Sequence, residues 1–228
     1  MRPVPAPVHR RPVTRITGAA AWETATVTEL LLPGVPFPFE SSGSPECQAS
    51  LADGMLTLVA GARTDIFIDP AGDEGARPDA GRWTGLPGED DFTLAARVTV
   101  GFASVFDAGV LLVYLSERRF AKLCYELSPQ RTPTVVTVVT HGTSDDSNSF
   151  ETDGGPLWLR ISRSDRVWAF HASADGVYWR MVRYFTLGEA SGARIGFLAQ
   201  SPTGEGCTAI FDAVTFKATV PADLRDGS

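Results

Sequence analysis

Three side chains in the stretch "RRFAKLCYELSP" could do chemistry: Lys122, Cys124 and Glu126. They alternate with Leu123 and Tyr125, and the two-residue period of a β-strand puts an ammonium, a thiol and a carboxylate on one face. A carboxyl in such a place can act as a general acid or base, with the ammonium steadying developing charge. The same pair can also hold the hydroxyls of a bound ligand. Lys122 and Glu126 lie roughly 13 Å apart along the backbone at about 3.3 Å per residue. They therefore meet opposite ends of one ligand, or each takes a partner from a neighbouring strand, such as Arg160 for Glu126. Cys124 is read as an inert strand cysteine, since unpaired cysteines are usually buried.

The flanking strands decide between open water and a groove. "DAGVLLVYL" and "TVVTVVTHG" are apolar on both faces, so they must be covered or line a pocket. A Lys and a Glu set among them are expected in a partly desolvated concave groove. Further ligand-binding candidates are Tyr114 for stacking, Asp107 at a strand start near the rim, His141 at a strand end, and Arg160 alternating with Leu159 and Ile161. Trp158 and Trp168 are additional aromatics. A carbohydrate site uses these ingredients: aromatic faces and a few charged groups. Hydrolysis of a glycoside needs two carboxylates, and only Glu126 can be nominated. The pattern thus favours a non-catalytic ligand-binding or regulatory domain, with an enzyme on a sugar or small metabolite as the alternative, Glu126 and Lys122 its catalytic pair.

Other motifs are structural. Asp145 and Asp146 in "THGTSDDSNSF" match no calcium-loop spacing and read as a solvated loop. Asp175-Gly176 in "HASADGVYWR" reads as a type I′ hairpin turn. Three histidines make no metal site if His9 lies in a tail, and neither nucleophile elbow, phosphate loop nor zinc helix is present. No metal or cofactor is expected.

The elements that must position these residues are strands. Of 228 residues 43% are hydrophobic, enough for a large core, and the formal charge of −7 disfavours nucleic acid and anionic lipid as partners. No apolar run is long enough for a membrane helix. Three scattered cysteines, Cys47, Cys124 and Cys207, are a poor disulfide framework; with no signal-like N-terminus they point to a reducing compartment, the cytoplasm. The Pro- and Arg-rich start reads as a flexible tail over 1–35, with a weak helix candidate in "AAAWETATVTELLL". From Met55 onward, runs such as "MLTLV", "TDIFIDP", "FTLAARVTV", "FAKLCYEL" and "CTAIFDAVTF" are separated by turn residues. Phe92, Leu94, Ala96, Val98 and Val100 share one face. The expectation is an all-β, two-sheet antiparallel sandwich over 36–220 with a short C-terminal tail over 221–228.

The order of these pieces, from "TDIFIDP" through "FDAGVLLVY", "TVVTVVTHGTSDD", "FHASADGVYWRMVR" and "IGFLAQSPTGEG" to "FDAVTF", resembles the regulation-of-enolase family of bacterial and fungal proteins. The resemblance spans about Pro36 to Val220. It implies a concanavalin A-like jelly roll, whose relatives hold carbohydrate on the concave sheet or its rim, but it supplies no substrate or catalytic residue.

Overall fold

The computed structural model describes residues 28–72 and 79–228. They form fifteen strands: β1 (Glu29–Leu30), β2 (Phe39–Ser42), β3 (Gln48–Ala52), β4 (Met55–Val59), β5 (Arg82–Gly85), β6 (Phe92–Gly101), β7 (Ala108–Ser116) and β8 (Arg119–Leu127). There follow β9 (Pro133–His141), β10 (Thr143–Glu151), β11 (Leu157–Ser164), β12 (Val167–Ser173), β13 (Arg180–Phe185), β14 (Arg194–Gln200) and β15 (Thr208–Lys217). No helix occurs among the described residues, and none is therefore long and apolar enough to cross a membrane.

The strands make two antiparallel sheets. One has eight strands in the order β1-β2-β5-β14-β7-β8-β9-β10, the other seven in the order β13-β12-β11-β6-β15-β4-β3. Between them lies the main core, into which β6 sends Phe92, Leu94, Ala96, Val98 and Val100, as its alternation requires. Phe39, Phe197 and Phe211 meet there in a tilted and an edge-on ring contact, and each fully buried ring contributes about 1.5–3 kcal/mol over an exposed one. Trp168 is in this core, so it lines no groove.

Strands β7, β8 and β9 are apolar on both sides for a reason visible outside the sandwich. Leu111, Val113, Ala121, Leu123, Tyr125, Val135 and Val139 point inward. Val110, Leu112, Phe120, Cys124, Val136 and Val138 point outward into a second apolar cluster closed by Ile66 and Ile68. The segment "TDIFIDP" is thus not a strand, although its alternation reads as one. It is a strap laid on the outer face of the eight-stranded sheet, anchored by Ile68 N–H to Ser144 Oγ (3.0 Å) and Ser144 N–H to the Ile68 carbonyl (2.8 Å). Near its start, Asp79 and Ala80 N–H groups both bond the Asp65 carbonyl. The backbone is satisfied by these cross-links rather than by a ladder.

Three other expectations change. "THGTSDDSNSF" is not a loop but largely β10, a polar edge strand registered with β9 through pairs such as Asp146↔Val138; apart from Ser144 and Phe150 its side chains are exposed, so it lacks the apolar pattern of a strand. The Asp175-Gly176 connection is no two-residue type I′ turn: only Gly176 has a left-handed φ (75°). Asp175 instead accepts N–H bonds from Val177 and Tyr178, and a Cβ on Gly176 would stand 2.7 Å from the Trp158 ring. Finally, the sandwich includes residues assigned to the tails. Leu30 and Leu32 are in the core and β1 pairs with β2, while Thr219 to Gly227 lie on the outer face of the seven-stranded sheet. Residues 1–27 of the tail expected over 1–35, and most of the helix candidate, lie outside the described residues.

Candidate functional site

Lys122, Cys124 and Glu126 stand on the outer face of the eight-stranded sheet, beside Leu112, Val110 and Ala108 of β7 and Val138, Val136 and Thr134 of β9. The strap covers much of that face. Lys122 is 1% exposed, and its Nζ donates to Asp65 Oδ1 of the strap and to Gln200 Oε1 of β14, both at 3.0 Å. Burial by itself disfavours the ammonium, but Asp65 first, then the other acidic groups around it, outweigh burial and hold the pKa above the ordinary lysine value. Gln200 turns its amide toward Glu126 Oε2 at 3.5 Å. A polar chain, Asp65–Lys122–Gln200–Glu126, therefore runs through an apolar layer.

Glu126 is 8% exposed. Burial pushes its carboxyl up to about 8, against the pull of Lys122 and with help from Asp65 and Asp146, so it carries a proton at neutral pH. Cys124 is not activated by its lysine neighbour: burial drives the thiol pKa far up and exceeds the pull of Lys122. Phe106, at the rim, has a φ of 70° and bonds Leu127 through its N–H. A left-handed φ is an outlier for so bulky a side chain.

The remaining candidates separate. Tyr114 shares the outer face, but its partner is Arg82, whose guanidinium lies 4.4 Å from the ring centroid and donates to the phenol oxygen at 3.1 Å. Beside it Arg194 donates to Glu40 (2.8 Å) and to the side chain and carbonyl of Thr84. Glu40, Ser41, Ser42, Arg82, Thr84, Tyr114 and Arg194 line an open pocket of about 230 Å³. Asp107 is fully buried and saturated by the Ala103 and Ser104 N–H groups and the Ser201 hydroxyl; it fixes a turn and has no oxygen to spare. His141 is exposed and meets the Thr186 carbonyl at 3.2 Å. Arg160 is on the other sheet, where it donates to the Gly227 carbonyl, so it cannot partner Glu126. Among the described residues no three His, Cys, Asp or Glu side chains gather as metal ligands would.

Sequence reasoning missed Asp65, Gln200, Arg82 and Arg194. The cue for Gln200 is an amide ending the apolar run "RIGFLAQ". Nothing local marks Asp65, whose role depends on a contact 57 residues away.

Residues 43–219 match DUF1349, a family described as proteins of unknown function. The chain belongs to this family. It is 24% identical over 174 residues to regulation of enolase protein 1 of Saccharomyces cerevisiae, covering 76% of this chain and 86% of that protein, in line with the resemblance carried by the motif order. Among solved structures it is similar to a functionally unknown protein from Saccharomyces cerevisiae (TM-score 0.72, 21% identity, 80% of this chain and 97% of that one). It is also similar to a xylan β-1,4-xylosidase from Bacillus halodurans (TM-score 0.60, 13% identity, 75% of this chain and 34% of that one). The fold is the jelly-roll β-sandwich expected from the sequence; identities this low carry the fold and nothing finer.

Proposed function

We propose that this protein is a non-catalytic ligand-binding domain that recognises a carbohydrate or glycoconjugate on the outer face of its eight-stranded sheet, at the pocket beside the strap. The observation that carries the reading is the pocket's make-up. A tyrosine ring and two guanidinium groups stand next to the Glu40 carboxylate and the Thr84 and Ser42 hydroxyls. Flat faces and charged hydrogen-bonding groups suit a polyhydroxylated ring. At about 230 Å³ the pocket is below the ~300–1,000 Å³ of typical small-molecule sites, which fits one sugar ring or a chain end. Three free, buried cysteines support a cytoplasmic, reducing setting.

The enzyme reading rests on Glu126, which holds its proton near pH 7 as a general acid must. Against it, the carboxylates that share its surroundings are Asp65, committed to Lys122, and Asp146, on the exposed edge strand, and the strap would have to lift.

Calorimetric titration of the full chain with oligosaccharides selected on a glycan array tests the proposal. Arg194→Ala and Tyr114→Ala are each expected to weaken binding at least tenfold while leaving Tm within a few degrees. Binding untouched by both substitutions, or an array without a hit, overturns it.

A further inference from the structure

The outer face of the seven-stranded sheet has a covering of its own. Thr93 donates to the Thr219 carbonyl at 2.8 Å, His171 Nε2 meets the Leu224 carbonyl at 2.8 Å, and Arg160 Nη2 donates to the Gly227 carbonyl at 2.8 Å. Residues 223–228 form a hook closed by the Gly227 N–H to Asp223 carbonyl bond (2.9 Å). Gly227 is at φ +84°, and a Cβ there would stand 3.0 Å from the Trp179 Cβ, 3.1 Å from Arg160 Nη2 and 3.2 Å from the His171 ring. Only glycine brings a carbonyl so close to these groups.

What lies beneath the hook is out of balance. Arg160 and His171 are direct cross-strand partners, 8% and 0% exposed. The Arg160 guanidinium carbon lies 4.3 Å from the Trp179 ring centroid, a cation–π contact. Its Nε has no hydrogen-bond partner, and neither has His171 Nδ1. Among the described residues no carboxylate pairs with Arg160. Uncompensated burial brings its pKa down to about 10, and burial, then the charge of Arg160, brings His171 down to about 4 against the pull of the Leu224 carbonyl and the Asp226 carboxylate of the hook. A buried cation held by one neutral carbonyl and a ring face, with no paired carboxylate, is costly. The Nε–Nη2 edge of a guanidinium is a two-donor fork shaped for a carboxylate or phosphate; here one tine holds a peptide carbonyl and the other is idle.

We propose that Arg160, His171 and Trp179 form a binding site for an oxyanion, the carboxylate or phosphate group of a small ligand, and that the hook 223–228 is an internal occupant which the ligand displaces. The anion takes Nε–H and Nη2–H of Arg160 together in place of the Gly227 carbonyl, and His171 donates to it from the ring nitrogen released by Leu224. The site is on the opposite sheet from the carbohydrate pocket and stands or falls separately from it.

The test is ¹⁵N–¹H NMR of the full chain titrated with inorganic phosphate and, in parallel, acetate. The Gly227 and Leu224 amides and the Trp179 indole are expected to shift together with one of them, at millimolar concentration. Gly227→Val, which unseats the hook, should tighten that binding about tenfold, and Arg160→Gln should abolish it. If Gly227→Val does not fold, the wild-type and Arg160→Gln pair still decides. Signals unmoved by both anions overturn the proposal, as do shifts that persist in Arg160→Gln.

Discussion

The two outer faces of this sandwich use the same device with opposite electrostatics. Each sheet carries a buried cationic side chain, Lys122 or Arg160, roofed by a length of its own chain. On the eight-stranded face the roof supplies a carboxylate, and the Lys122–Asp65 pair is matched in charge at 3.0 Å. On the seven-stranded face the roof meets Arg160 and His171 with carbonyls, and a nearby carboxylate of the roof, Asp226, acts on His171 without a hydrogen bond to either. The first arrangement is a lock. The second leaves Arg160 with no paired carboxylate among the described residues and its Nε unused.

The largest effect should come from opening the lock. Lys122→Met leaves Asp65 without its counter-charge and Gln200 Oε1 without its ammonium donor, and breaking a buried pair typically costs about 3–5 kcal/mol. Urea denaturation measures it, and Lys122→Met combined with Asp65→Leu should recover a good part of the loss, because the lone carboxylate is gone.

The two faces should also titrate in opposite directions. Glu126 holds its proton up to about 8 when folded but ionises near 4.5 in the unfolded chain, so stability falls as pH rises from about 4.5 to 8. Glu126→Gln should remove that slope and stabilise the protein at pH 8 by on the order of 4 kcal/mol. His171 behaves conversely: its folded pKa of about 4 lies below the 6.5 of the free side chain. Its contribution is complete above about 6.5 and is lost as pH falls toward 4, on the order of 3 kcal/mol. Melting temperature measured from pH 4 to 9 on wild type, Glu126→Gln and His171→Gln separates the two limbs. A wild-type profile flat on both sides would contradict both assignments.

The smallest effect belongs outside either roof. Arg183 bridges to Asp145 of the edge strand, whose side chain is 73% exposed, and Arg183→Ala should change stability by about 0.5 kcal/mol or less.

Much of this was legible in the sequence because alternation is a local property. The inward set of β6 and the outward set Lys122, Cys124 and Glu126 follow from period two alone, and the two-sided apolarity of β7 and β9 announced that something must cover the sheet. What the cover would be was not legible. "TDIFIDP" has a strand's alternation, but Ile66 and Ile68 are buried by lying across strands rather than between them. The partners of Lys122 come from Asp65 and Gln200, 57 and 78 residues away, and those of Arg160 from the last turn of chain. Asp107 fails as a ligand residue because backbone N–H groups within four residues already take its oxygen, a competition that a lone acidic letter does not reveal.

The central functional claim is that a sugar binds at the open pocket while the strap stays in place. ¹⁵N–¹H NMR of the wild-type chain with a panel of neutral oligosaccharides, xylo-oligosaccharides included, tests it most directly. The expected result is one binding curve shared by the amides of Thr84, Tyr114 and Arg194, with Ile66 and Ile68 unmoved. Shifts centred on Lys122, Glu126 and the strap, or no shift with any sugar, would contradict it.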